Sequence, residues 1–270
     1  MRSIKLACNV YGKDDRISTS IDEPMNVTNT DVYFSAQAFS EDMARAKVAV
    51  IIDILRATST MVTALANGAK GIIPVRSMGD ASQIVAKINS DNFLLCGEKD
   101  GVKIENFDLG NSPFEYTKET VENKTIVLTT TNGTNAIAQA GLAQELYLAS
   151  FLNISSVINQ LKTKHQDDNI VLICSGWKGL ISIEDTLCAG YIVDALLAGK
   201  ADAGMPDGAK VARALFNQYK DDLATTIKHS NHAKRLENLL VNDDLGYCSQ
   251  IDIFDILPTL KDGIIVDGKA

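Results

Sequence analysis

The sequence predicts an α/β fold in three layers, with helices on both faces of a mainly parallel or mixed sheet. Three observations predict it. Short apolar runs of strand length, rich in β-branched residues, alternate with segments of helical spacing. The runs are continuous rather than alternating, as strands buried on both faces read. Several of them end abruptly in acids, hydroxyls or small residues. Composition agrees: 270 residues, 46% hydrophobic and 22% charged, with five Pro and eighteen Gly, describe an ordinary globular chain and exclude disorder and low complexity. Residues 1–270 read as one catalytic unit. The length leaves room for two lobes, but no linker or repeat of fixed period marks a boundary.

Taken in order, Val48 to Asp53 is an apolar run closing on an acid, hence a strand. Helical spacing follows from Ser59 to Asn67, with Gly68 placed as a helix-ending glycine. Gly71 to Arg76 reads as a strand, Gly79 to Asn89 as a helix, and Asn92 to Cys96 as a strand. Asp91 to Pro113 is polar and weakly periodic, the composition of a functional loop. Thr125 to Thr129, Glu145 to Ala149 and Ile170 to Cys174 are further strands. Helices are expected at Asn132 to Ala140, Ile154 to Lys164, Ser182 to Leu197, Gly208 to Tyr219 and Asn231 to Leu240.

The net charge of −8, without any Lys/Arg cluster, disfavours nucleic acid and anionic membrane surfaces as partners. No apolar run is long enough to span a bilayer, and the stretch beginning Met1-Arg-Ser-Ile is too short for a secretory signal. The five cysteines, Cys8, Cys96, Cys174, Cys188 and Cys248, are scattered without a CxxC pair. They read as reduced thiols, so a cytoplasmic protein is expected.

Ligands of such sheets bind beyond the carboxyl ends of the strands, and three strand ends carry chemistry. In Asp53-Ile-Leu-Arg-Ala-Thr-Ser59 an acid closes the strand and hydroxyls open a helix. Thr58 or Ser59 is expected as its N-cap, where backbone N–H groups can bind phosphate. Thr129-Thr-Thr-Asn-Gly-Thr134 gathers hydroxyl and amide donors, as a turn with an N-cap also does. Cys174-Ser-Gly-Trp-Lys178 precedes Ser182, Glu184 and Asp185. Ser182 and Asp185 suit a helix start, and Mg²⁺ coordination is the sharper alternative for the two acids. Glu98 lies at a strand end as Asp53 does, whereas Asp243 and Asp244 read as a solvated turn.

Absences narrow the choice. Neither GxGxxG nor GxxxxGK[ST] occurs, so no standard nucleotide cradle is present. Leu180 stands where a cysteine phosphatase loop beginning at Cys174 would need Arg. Leu55 stands where a haloacid-dehalogenase-type phosphatase would need a second Asp after Asp53. His165, His229 and His232 fall in polar stretches and are expected on helix surfaces. Carboxylates, hydroxyls, Arg and Lys remain, a set that suits hard-cation phosphate chemistry.

In combination and in this order, Asp53-Ile-Leu-Arg-Ala-Thr-Ser59, Gly97-Glu98 with Phe107-Asp-Leu-Gly-Asn-Ser-Pro113, Thr130-Thr-Asn-Gly-Thr134, Cys174-Ser-Gly176 with Glu184-Asp185, and Asp243-Asp244 before Cys248 resemble the 2-phosphosulfolactate phosphatase family. The resemblance covers residues 45 to 260. It implies an Mg²⁺-dependent acid phosphatase that converts 2-phospho-3-sulfolactate, or a related 2-phospho-2-hydroxy acid, to the free hydroxy acid and phosphate. In some microbes that step belongs to coenzyme M biosynthesis. Three positions depart from the family pattern. Asn135 stands where a basic residue is usual, Asn106 where Gly is frequent, and Lys99-Asp-Gly101 where the segment is usually basic and Gly-rich.

On this reading Asp53, Glu184 and Asp185 are Mg²⁺ ligands, with Glu98 a further candidate. Arg56 clamps phosphate or sulfonate with its planar fork. The substrate-binding set is Arg56, Thr58, Ser59, Thr130, Thr131, Asn132, Gly133, Ser175, Gly176 and Lys178. The nucleophile is Asp53, a water or Cys174, although Cys174 also fits a buried structural thiol. A carboxylic acid, Asp108, Asp243 or Asp244, would protonate the leaving alkoxide. The expected partner is a small anionic phosphorylated or sulfonated hydroxy acid, and a homo-oligomer is expected. The competing readings are another phosphoryl-transfer enzyme and a non-catalytic binder of such acids.

Overall fold

A computed structural model describes residues 29–86, 92–199, 204–239 and 243–269. The N-terminal stretch, Cys8 and the expected ends of two helices beyond residues 86 and 239 lie outside the described residues.

Strand β1 (Thr30–Tyr33) leads into β2 (Val48–Ile52), helix α1 (Ala57–Ala66), β3 (Gly71–Val75) and α2 (Met78–Val85). The hairpin β4 (Phe93–Lys99) and β5 (Val102–Lys103) follows, then α3 (Lys118–Val121), β6 (Thr125–Thr129), α4 (Gly133–Gln139) and β7 (Glu145–Ala149). Helix α5 (Ile154–Lys164), β8 (Ile170–Cys174) and α6 (Ile183–Leu197) come next. The chain continues through α7 (Asp207–Tyr219), α8 (Leu223–Lys228), α9 (Asn231–Glu237) and α10 (Asp244–Cys248), and ends in hairpin β9 (Pro258–Lys261) and β10 (Ile264–Asp267). The α/β class is as expected, with a mixed, mostly parallel sheet.

The sheet order is β1-β8-β2-β7-β9-β10-β3-β6-β4-β5. Strands β1, β8, β2 and β7 are parallel to one another, as are β3, β6 and β4. The C-terminal hairpin joins the two halves through antiparallel pairs, Tyr147 with Thr259 and Ile265 with Ile72. Strand direction therefore reverses between the halves. Register brings their carboxyl ends into play: Ile52 lies beside Cys174, and Gly97 beside Thr129. Asp53, Ser175 and Thr130 follow directly on these strands, and Glu98 is the penultimate residue of β4, paired with Lys103 of β5.

Burial on both faces explains the continuous runs. Val48, Val50 and Ile52 pack with α5, α6 and α7, whereas Ala49 and Ile51 pack with α1 and α4. A smaller cluster of Val75, Ala81 and Val127 fills the space under α2. Among the described residues no helix is long and apolar enough to cross a membrane.

Strands β6, β7 and β8 and helix α5 have the expected bounds. Helix α1 does not. It begins at Ala57 with Arg56 in the N-cap position, and neither Thr58 nor Ser59 caps it. The expected loop over Asp91 to Pro113 contains all of β4, which runs past its expected end at Cys96 to Lys99, and all of β5. The C-terminal hairpin had a local signal, Asp262-Gly263 between apolar runs. Both residues take positive φ, 50° and 81°, as a type I′ turn requires.

Ile265 is fully buried in the core where the hairpin meets β3. Ile265→Ala is expected to lower unfolding free energy by about 2–5 kcal/mol, by lost burial and the cavity left. Urea unfolding followed by circular dichroism measures this as a lower midpoint.

Candidate active site

The site begins where β2 ends. Asp53 is buried at 6% exposure, and its backbone is locked by Thr58. The Asp53 N–H donates to Thr58 Oγ1 (3.1 Å), while the hydroxyl and the N–H of Thr58 donate to Asp53 O at 2.9 and 3.0 Å. Asp53 Oδ1 accepts from Ala57 N–H (3.2 Å), which leaves Oδ2 at the cavity. Ser59 donates its hydroxyl to Ile54 O. Thr58 and Ser59 thus shape the turn beneath the cavity and do not line it.

Helix α6 is capped by Ser182, whose Oγ accepts from Asp185 N–H at 3.4 Å. The two acids beyond that cap are turned inward. Asp185 Oδ1 accepts from Ile54 N–H (2.8 Å) and Oδ2 from Gly176 N–H (3.1 Å), so one carboxylate ties the turns after β2 and β8. Gly176 has φ +70°, and a Cβ there would come within 2.5 Å of Leu180 O, so glycine is required. Glu184 Oε1 meets His232 Nδ1 of α9 at 2.8 Å, and its Oε2 is buried without a partner. His232 stacks on Trp177 with ring centroids 5.5 Å apart, and Lys178 Nζ lies 4.9 Å from the Trp177 ring.

From the other half of the sheet, Glu98 takes three donors: Thr131 N–H (2.6 Å), Thr131 Oγ1 (3.1 Å) and Gly101 N–H (2.5 Å). Its carboxylate holds two turns in place. Thr130 and Thr134 bond each other reciprocally, N–H to hydroxyl. Asn132 caps nothing with its side chain and lines the cavity. Gly133 closes the approach of the two halves: a Cβ there would sit 2.5 Å from Ala57 Cβ and 2.9 Å from Asp53 Oδ2.

Arg56 is 5% exposed. Its Nη1 donates to Asp244 Oδ2 (2.7 Å) and its Nη2 to Gly101 O (3.0 Å). Asp244 is fully buried and also accepts from Ser112 Oγ (2.7 Å). Two of the five guanidinium N–H donors are thereby fixed, and Arg56 lines the cavity.

Two expectations are corrected, and Cys174 takes the buried place that its strand end also allowed. Asp244 is not in a solvated turn, because it is the buried counter-ion of Arg56. His232 and His165 are not surface residues. His232 joins the cavity, and His165 is buried between Tyr147 and Asp168. Cys174 is fully buried in the core, and burial followed by the Asp185 charge pushes its thiol well up, so it stays protonated. Asp108, exposed, accepts from Leu95 N–H outside the cavity, and Asp243 caps α10.

Sequence reading missed Trp177, His232, Arg235 and Asn111, all of which line the cavity with Asp53, Arg56, Glu98 and Lys178. His232, Arg235 and Leu236 have i, i+3, i+4 spacing on α9, a one-face signal that only the packing of α9 reveals as functional.

Burial is the main force on the carboxylates. It raises Asp53 to about 6, with Glu98 and Glu184 adding to the rise and His232 and Ala57 N–H opposing it. It raises Asp185 well above the usual range, helped by the charges of Asp53 and Glu184. Burial acts on Glu184 too, but the His232 hydrogen bond and charge outweigh it and bring Glu184 below its ordinary value. Among the described residues no three His, Cys, Asp or Glu side chains gather closely enough to hold a metal alone. Mg²⁺ asks for less, one or two carboxylates with waters and a phosphate. Asp53, open at Oδ2, and Glu184, with a buried unpartnered Oε2, fit that need. Glu98 and Asp185 are committed to backbone N–H groups.

Fold and site define the class first: an α/β enzyme with carboxylates and cations converging at strand ends. Comparison with known sequences then names the family. The profile described as 2-phosphosulpholactate phosphatase matches residues 33–263, and this chain belongs to that family. A protein of Thermotoga petrophila named "Probable 2-phosphosulfolactate phosphatase" is 45% identical over 220 residues, 82% of this chain and 92% of its own length. Proteins of Thermotoga maritima and Clostridium beijerinckii bear the same name. They are 44% and 38% identical over 82% and 87% of this chain, and over 92% and 98% of their own lengths.

Two predictions follow from the charges. Asp53 binds its proton more tightly in the folded state, so it costs stability as pH rises through about 6. In metal-free protein at pH 8, the unfolding free energy of Asp53→Asn is expected to exceed that of wild type by about 1–3 kcal/mol, read from urea unfolding, with the gain shrinking toward pH 4. Asp244→Ala leaves Arg56 buried and unpaired and is expected to cost about 3–5 kcal/mol, read from denaturant unfolding.

Proposed function

We propose that this protein hydrolyses 2-phospho-3-sulfolactate, or a closely related 2-phospho-2-hydroxy acid, with Mg²⁺ as cofactor. Water enters, the phosphorus–oxygen bond to the substrate breaks, and the free hydroxy acid and phosphate leave. One observation carries the reading: Asp53, buried with Oδ2 open, faces a cavity that it shares with Arg56, Lys178 and His232. Family membership supplies the substrate class.

Asp53 and Glu184 would hold Mg²⁺, which neutralises phosphoryl charge when bound. The residues around them do the rest. Arg56, fixed by Asp244, presents its remaining N–H donors to the phosphoryl oxygens. Asn132 offers an amide and Lys178 a second positive charge at the rim. Asp185 holds the turns bearing Asp53 and Gly176 in register. Attack falls to Asp53 or to water, since the Cys174 thiol is protonated and inside the core. His232 replaces the carboxylic acids expected as proton donor. Its Nδ1 is engaged by Glu184, which leaves Nε2 to give the proton to the leaving alkoxide. The four described cysteines are all free and buried, which supports a reducing, cytoplasmic setting.

Phosphate release from 2-phospho-3-sulfolactate tests this. Release is expected with Mg²⁺, and EDTA should abolish it. Asp53→Asn should lower kcat at least about a hundredfold, and His232→Gln by about 10²–10⁴. Full activity in EDTA, or in Asp53→Asn, would overturn the proposal.

A further inference from the structure

The cavity at Asp53 is the smaller of two adjoining ones, about 70 Å³. A second cavity of about 570 Å³ opens beside it, and Thr131 and Asn132 line both. A phosphate held at Asp53 therefore directs the rest of its substrate across Thr131 and Asn132. The second cavity is polar yet carries few charges. Gln37, Asn135 and Ser175 line it, and Ser175, 5% exposed, has a buried hydroxyl without a partner. Gln139, also on its wall, has a buried Oε1 without a partner.

Among the described residues, the one cation lining that cavity is Arg76, at the carboxyl end of β3. Its Nη2 donates to Glu41 Oε1 at 2.8 Å, and both side chains are 51% exposed. Such an exposed pair is worth little, about 0–1 kcal/mol, so an incoming anion can displace Glu41 at small cost. Asn135, where the sequence lacks the usual basic residue, turns its amide to Thr131 O and contributes no charge.

Resting on the phosphatase reading, we propose that the cavity beside Asn132 is the subsite for the anionic tail of the substrate and that Arg76 is its specificity residue. The tail is the acidic group on the carbon next to the phosphate-bearing one. Arg76 exchanges Glu41 for that group, and the amide and hydroxyl groups of Asn135 and Ser175 offer hydrogen bonds to its oxygens. A planar, forked guanidinium suits a sulfonate or carboxylate tail, and a neutral tail gains nothing there.

The test compares kcat/KM for 2-phospho-3-sulfolactate with that for 2-phospholactate, which has no anionic tail. Arg76→Ala should lower the ratio about tenfold, chiefly by raising KM for the sulfonated substrate. Arg76→Lys should recover part of the loss, and Glu41→Gln should raise the ratio by freeing Arg76. An unchanged ratio in Arg76→Ala, or an equal loss on both substrates, overturns the subsite. If the wild type releases phosphate from neither compound, the phosphatase reading falls. The subsite is then judged by calorimetry with 3-sulfolactate: weaker binding to Arg76→Ala than to wild type supports it, and equal binding or none overturns it.

Discussion

The site depends on one buried carboxylate that does not line the cavity. Asp185 accepts from Ile54 N–H and Gly176 N–H, one after each of two neighbouring strands. It ties the turn carrying Asp53 to the turn carrying Ser175 to Lys178, one step beyond the Ser175 N–H bond to Ile52 O (2.8 Å) that ends the strand pairing. The price is concentrated negative charge in a dry place. Burial pushes Asp185 well up and Asp53 to about 6, and Glu184 adds its repulsion to both. Fixed, desolvated carboxylates of this kind are costly to a folded chain and useful to an enzyme that neutralises phosphate with a cation.

The two parallel halves of the sheet both send groups to the same point. Glu98 and Thr131 come from one parallel half, Asp53 and Asp185 from elements of the other, and Gly133 lets them approach. The C-terminal third then closes the site from outside the sheet: α9 supplies His232 and Arg235, and α10 supplies Asp244. The cavity is thus assembled from segments nearly 200 residues apart, with long-range pairs such as Arg56–Asp244 fixing them.

Much of this was legible in the sequence where the signal is local. Continuous apolar runs locate β2, β6, β7 and β8 because strands buried on both faces leave no polar alternation. The strand-end acids Asp53 and Glu98 and the helix start at Ser182 were visible for the same reason. Partnerships were not. Thr58 and Ser59 look like cap residues, yet their hydroxyls turn back to Asp53 O and Ile54 O because the Asp53 turn offers carbonyls closer than the helix N–H groups. Asp244 and His232 sit in polar stretches, and their burial follows from Arg56 and Glu184, more than 45 residues away in sequence. No periodicity reports such a contact. The C-terminal hairpin is different, since its Asp-Gly turn was readable and only its role as the bridge between the halves was not.

The proposed hydrolysis requires Asp53 and Glu184 to gather a divalent cation at the phosphoryl site. Anomalous diffraction from crystals soaked with Mn²⁺ and 3-sulfolactate tests that most directly. The account predicts a metal peak at coordinating distance from Asp53 Oδ2, with the product in the adjoining cavity. A peak elsewhere, or no bound metal in an enzyme that still releases phosphate, would contradict it.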